Sequence, residues 1–144
     1  MTLVELGTYL IAQGIGTVMG TDVFAGKLPP TPDVVVCLFE YASLPAEPAV
    51  GVDGTTVRYE YPRVQVVTRG VRDDYSGSNA TAKKVRKALM KIQNQNLTAP
   101  GGISTYWIAA IPESGPFFLR RDNNDRVEFV VNCQAFKAVS SDEG

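Results

Sequence analysis

Hydrophobic positions along the chain fall into segments whose spacing changes several times. Leu3, Leu6 and Leu10 recur at helical spacing ahead of Gly14 and Gly16, which predicts a first helix over about residues 3–14. Thr2 and Glu5 stand three apart at its start, the spacing of a capping box. The connection "GTDVFAGKLPPTPD" is rich in glycine and proline, and Pro29, Pro30 and Pro32 exclude helix there and favour extended chain. "VVVCLFEY" (Val34–Tyr41) is apolar at both alternating positions, as expected for a strand buried on two faces. Residues 42–55 carry Pro, Gly and Ala without periodicity and read as a long exposed loop.

A strand follows over 63–69, with Val64, Val66 and Thr68 on one face and Gln65, Val67 and Arg69 on the other. Asp73, Asp74, Ser76 and Ser78 are capping-type residues, so the second helix starts between 74 and 79. Ala82, Val85, Ala88, Leu89 and Ile92 form its apolar stripe, and "NQNLTAPGG" ends it in turn-forming residues. "STYWIAAI" predicts another strand and "PESGP" a turn. "FFLRR" then pairs with "RVEFVVNCQAF" across the hairpin tip "DNND". In the last strand Val127, Phe129, Val131, Cys133 and Ala135 share one face. The order of elements predicts a single α+β domain over residues 1–139, with a flexible tail at 140–144. Its sheet is expected to be mixed or mostly antiparallel, with two helices packed on one face.

Composition narrows the chemistry. The chain of 144 residues contains no histidine, which removes Ser-His-Asp and Cys-His nucleophilic sites and histidine zinc sites. Its two cysteines, Cys37 and Cys133, sit inside apolar runs and read as buried free thiols. No phosphate-binding glycine loop occurs, and "DNND" lacks the central glycine and the final glutamate of a calcium loop. Asp73 and Asp74 are better placed to favour a helix start than to form a catalytic pair. The sequons at Asn79 and Asn96 carry no weight beside an N-terminus without a secretory pattern, and a soluble protein made inside the cell is expected. The aromatic residues lack a ribonucleoprotein motif and read as core. No enzyme activity, metal or cofactor is expected.

Charge changes the picture more than any motif. Residues 1–62 carry two basic and seven acidic side chains, residues 63–91 eight and two, and residues 92–144 four and six. The net charge of −1 therefore conceals segments of −5, +6 and −2. Lys83, Lys84, Arg86, Lys87 and Lys91 lie off the apolar stripe of the second helix, and no acid occurs between residues 75 and 112. A solvated outer face is the plain account of such a helix. Without Glu–Lys pairs to dilute it, the face also suits nucleic-acid phosphates or the acidic part of a neighbouring copy. A contact of the latter kind is heterologous and builds rings or filaments.

"GTDVFAGKLPPTPDVVVCLFEY", "YPRVQVVTRGVRDDYSGSNATAKKVRKAL" and the late "VVNCQAFK" together resemble the tail-terminator or minor capsid proteins of long-tailed bacteriophages, over roughly residues 3–137. The resemblance implies a virion protein that forms a six-membered ring on the head-proximal end of the tail tube. Such a ring stops polymerisation, meets the head-completion protein and lets DNA pass through its channel. It places Arg69, Arg72, Asp73, Asp74 and Tyr75 at the subunit interface, and Leu44, Glu47, Val50 and Asp53 in contacts along the tail axis. The basic helix is then expected to face protein, with DNA a secondary partner. Two alternatives stand beside this reading: another neck or head-completion ring, and a small nucleic-acid-binding module that uses helix 79–92.

Overall fold

The computed structural model describes residues 2–50, 56–102 and 104–140. Its elements are α1 (Thr2–Ala12), β1 (Val23–Ala25), β2 (Val35–Val50), β3 (Thr56–Arg72), α2 (Tyr75–Met90), β4 (Gln93–Thr98), β5 (Ser104–Arg121) and β6 (Arg126–Ser140). All six strands join one sheet in the order β1-β2-β3-β6-β5-β4. The β1–β2 pair is parallel and the other four pairs are antiparallel.

The expected α+β layout is corrected by this architecture: the two helices are enclosed by a curled sheet and are not simply stacked on one face of an open one. The fold is mostly β, a six-stranded sheet curled into a half-barrel with two short helices. The helices α1 and α2 have 11 and 16 residues, while β2, β3, β5 and β6 each run for 15 to 18. Helix α1 touches β1 and β2 near one edge of the sheet and β4 at the other, and α2 lies against β3, β5 and β6. A helix can reach both edges only because the sheet wraps around it.

The extra strand length comes from segments that read as loops and turns. Residues 42–50 continue β2, with Leu44 opposite Tyr61, Glu47 opposite Tyr59 and Val50 opposite Thr56. The expected loop is therefore a strand as far as Val50, and Asp53 lies outside the described residues. Pro45 and Pro48 are tolerated because β1 pairs with β2 only up to Leu38, leaving the rest of β2 as an edge. "PESGP" likewise stays within β5, and register shifts beside Pro112 and Ser114 absorb its irregular backbone. Here too the strand is an edge, since β4 ends with Gln93 opposite Ala109. "NQNL" forms β4 rather than a helix-ending turn. Val23–Ala25 forms the short β1 within the connection before β2.

Alternation along the strands builds two apolar layers. Val36, Leu38, Val64, Val66, Val131, Cys133 and Ala135 pack with Leu6 and Leu10 of α1 and with Ala82, Val85 and Leu89 of α2. Each fully buried leucine contributes about 1.5–3 kcal/mol. On the opposite face Val35, Cys37, Val67 and Val130 pack with Phe24, Leu28 and Phe39, so the connection between β1 and β2 covers that side. Cys37 and Cys133 thus belong to different layers, and both thiols are free.

Thr2 and Glu5, the residues of the expected capping box, also take part in a polar cluster inside the first layer. Glu5 is fully buried. Its carboxylate accepts from Trp107 Nε1 and from Thr105 Oγ1, each at 2.9 Å. Lys137 Nζ lies 3.5 Å from Glu5 Oε1 and donates to Thr2 Oγ1 at 2.9 Å. Burial pushes the Glu5 pKa up, but the hydrogen bonds to its carboxylate, those from Trp107 and Thr105 among them, and the charge of Lys137 together leave the value below the ordinary carboxylate range.

A candidate assembly surface

The junction between β3 and α2 is built by local chemistry that the sequence carries openly. Asp73 adopts a left-handed conformation with φ 59°, which aspartate tolerates better than most residues. Asp74 caps α2 by accepting from the Gly77 amide at 2.9 Å. Ser78 Oγ donates to Val127 O at 3.0 Å and to Thr68 O at 3.2 Å, pinning the first turn of the helix to β6 and β3. Gly70 leaves room for this approach, because a Cβ there would stand 3.2 Å from Ser78 Cβ.

From this pinned junction several side chains reach the surface together. Arg72 Nη2 lies 3.4 Å from Asp125 Oδ2, and Arg121 Nη1 donates to Asp73 Oδ1 at 2.8 Å. The Asp73 amide also donates to Asp125 O at 2.9 Å, so the end of β3 is tied to the β5–β6 hairpin tip. Beside these charges the Tyr75 ring packs 5.8 Å from Phe118 and 4.9 Å from Phe129, centroid to centroid. Phe129 is buried, whereas Tyr75 and Phe118 remain 48% and 44% exposed. Val71, Phe117 and Leu119 are exposed as well. An aromatic pair with flanking apolar groups and arginines has the composition of a protein-contact surface.

Arg72, Asp73, Asp74 and Tyr75 are therefore neighbours at one end of the sheet, with Asp74 occupied as the helix cap. Arg69 is placed differently, away from the exposed part of this surface. Its side chain is only 3% exposed and donates to Asp33 O at 2.9 Å and Pro32 O at 2.6 Å. Burial lowers its pKa from the usual arginine value. Arg126 does similar work, donating to Pro30 O at 2.6 Å and to Asp122 Oδ2 at 2.7 Å. Together they hold the proline-rich segment 30–33 over the outer face of the sheet. Phe117, Phe118 and Leu119 were missed as surface groups, although three consecutive large apolar residues cannot all point to one face of an alternating strand.

Lys83, Lys84, Arg86, Lys87 and Lys91 are all exposed on α2. Acids elsewhere in the chain are largely spoken for. Glu5 meets Lys137, Asp33 and Asp122 meet Arg126, Glu60 meets Arg58, Glu113 meets Arg63, Asp73 and Asp125 meet Arg72, and Glu128 meets Arg120. Asp22 accepts from the backbone amides of Thr17 and Val18 and from the Thr17 hydroxyl, which together outweigh its burial and hold its pKa low. None of the ion pairs among the described residues involves a cation of α2.

A family model described as "Bacteriophage tail terminator protein" matches residues 9–137. Among curated proteins, none is significantly similar in sequence to the chain.

Proposed function

The chain belongs to the bacteriophage tail-terminator family, and from that membership we propose a ring of six copies that sits on the head-proximal end of the tail tube, stops its polymerisation and joins it to a head-completion protein. The role is structural, and the place of action is the tail and neck of the virion, after assembly in the host cytoplasm. Genomic DNA passes through the ring without sequence-specific binding. The observation that carries this reading is the family match across residues 9–137.

The surface around Tyr75 and Phe118 supports the ring. It lies beside the part of β5 that has no strand on its outer side, and its arginine–aspartate pairs give it direction as well as apolar area. A contact between that surface and a different surface of the next copy is heterologous, which closes into a ring when the rotation is right. Leu44, Glu47 and Val50 lie on the free stretch of β2, and contact along the tail axis is assigned to that stretch. Arg69 contributes indirectly, by fixing the 30–33 segment.

The test is polymerisation of the cognate tail-tube protein with and without this chain, read as tube length in negative-stain images. Tubes capped at one end and shortened as the chain is added support the proposal; an unchanged length distribution with no density at either end refutes it. A Phe118→Asp variant that keeps its fold should lose rings and capping together.

A further inference from the structure

The charge left over after intramolecular pairing is concentrated on one helix. Among acids with described side chains, Asp74 caps α2, and Glu40 is exposed with no ion pair. Of the described acids in the segment expected to meet the basic helix of a neighbouring copy, most are thus consumed at home: Glu5 is buried, and Asp22, Asp33 and Glu60 have partners. Among the described residues, the five cations of the α2 face have no ion-pair partner.

We infer that this face of α2 holds the phosphate backbone of duplex DNA, a role that rests on the terminator reading for the source of the DNA but not for the surface itself. Lys83 to Lys91 spans about 12 Å along the helix axis, from 1.5 Å per residue, which is comparable with the roughly 12 Å width of a B-DNA major groove. A cleft of about 160 Å³ lined by Gln13, Ile15, Lys84, Lys87, Ala88 and Lys91 separates this face from the end of α1 and gives it relief. Composition distinguishes phosphate from an acidic protein. Interfaces between proteins are depleted in lysine and enriched in aromatic residues, which describes the Tyr75–Phe118 surface. The α2 face carries four lysines, one arginine and, as its large apolar group, Met90. The contact proposed is with phosphates, which carry no sequence information, so binding is independent of sequence.

The experiment uses the full-length protein and a fluorescent 20-base-pair duplex, with anisotropy read over about 50–300 mM salt. Contact with three to five phosphates predicts a slope of log affinity against log salt of about −3 to −4.5, from about 0.9 per phosphate. The triple variant K84Q/K87Q/K91Q should lose about 2–3 of that slope, whereas Lys27→Gln, outside the face, should leave it unchanged. Trp107 emission confirms that each variant is folded. Absence of binding by the wild type at 50 mM salt, or a triple variant that binds like the wild type, overturns the inference. So does polyglutamate that displaces the duplex as well as unlabelled DNA does at equal charge, since the face would then serve an acidic protein. The triple variant should still cap tail tubes, and that separates failure of this inference from failure of the terminator proposal.

Discussion

Lys137→Met tests the polar cluster that joins α1 to the sheet. The substitution keeps most of the side-chain volume beside Trp107 but removes the cation that stands 3.5 Å from a fully buried carboxylate. Breaking a buried ion pair on one side costs about 3–5 kcal/mol. Glu5 keeps its hydrogen bonds from Trp107 and Thr105, so the lower end, about 3 kcal/mol, is expected here. Against a total stability of about 5–15 kcal/mol this is a large fraction, and it corresponds to a fall of roughly 6–12 °C in melting temperature for a chain of this size. Trp107 is the single tryptophan and is buried against the perturbed group, so its emission during urea unfolding reports the change directly. A pH series adds a signed control. The folded pKa of Glu5 lies below its unfolded value. Its contribution is therefore fully present above the unfolded value near 4.5 and is lost as pH falls through the depressed folded value. Glu5→Gln abolishes that acid-side term. A loss under 1 kcal/mol in Lys137→Met, or an acid-side slope unchanged in Glu5→Gln, would refute the cluster's role.

Gly115 should resist substitution: its φ is +98°, and an added Cβ would run into the Val130 carbonyl. Gly115→Ala is expected to lower the urea midpoint by an amount equivalent to about 2 kcal/mol or more, and a neutral result would show that the β5 bulge can relax. Burial pushes the thiols of Cys37 and Cys133 up to about 12. A thiol reagent at pH 8 should therefore label neither in the native protein and both after urea unfolding; rapid native labelling of either would contradict its placement.

Local chemistry was legible wherever a residue type has one strong preference. Asp74 as a cap, the apolar stripe of α2, the Asp122–Asp125 hairpin tip and the two-faced burial of Val35–Leu38 all follow from spacing and turn propensity. Legibility ended at the sheet edges. Pro45, Pro48, Pro112 and Pro116 argue against a strand only when both sides are paired, and no local pattern says which side is free. The half-barrel itself depends on α1 touching both ends of the strand order, a relation between residues about 100 positions apart, such as Glu5 with Thr105 and Trp107. The burial of Arg69 was not legible for a related reason. Basic residues usually stay at the surface, and its buried position follows from carbonyls of Pro32 and Asp33 that only the folded chain brings to it.

The two surfaces differ in a way that matters for a protein of this family. Contacts made through Tyr75, Phe118 and their apolar neighbours draw mainly on buried area, which moderate salt leaves intact. Contacts made through the α2 cations draw on counterion release and weaken steeply as salt rises. At physiological ionic strength charges are screened beyond about 8 Å, so the five cations act as one local field and are not averaged away by a net charge of −1. The proposed ring, held by the first kind of contact, would therefore persist while DNA held by the second kind slides or leaves. Under the proposed function, that division would let one chain hold its neighbours lastingly and DNA transiently, using residues at the two ends of a single helix: Tyr75 in its first turn and Lys91 immediately after its last.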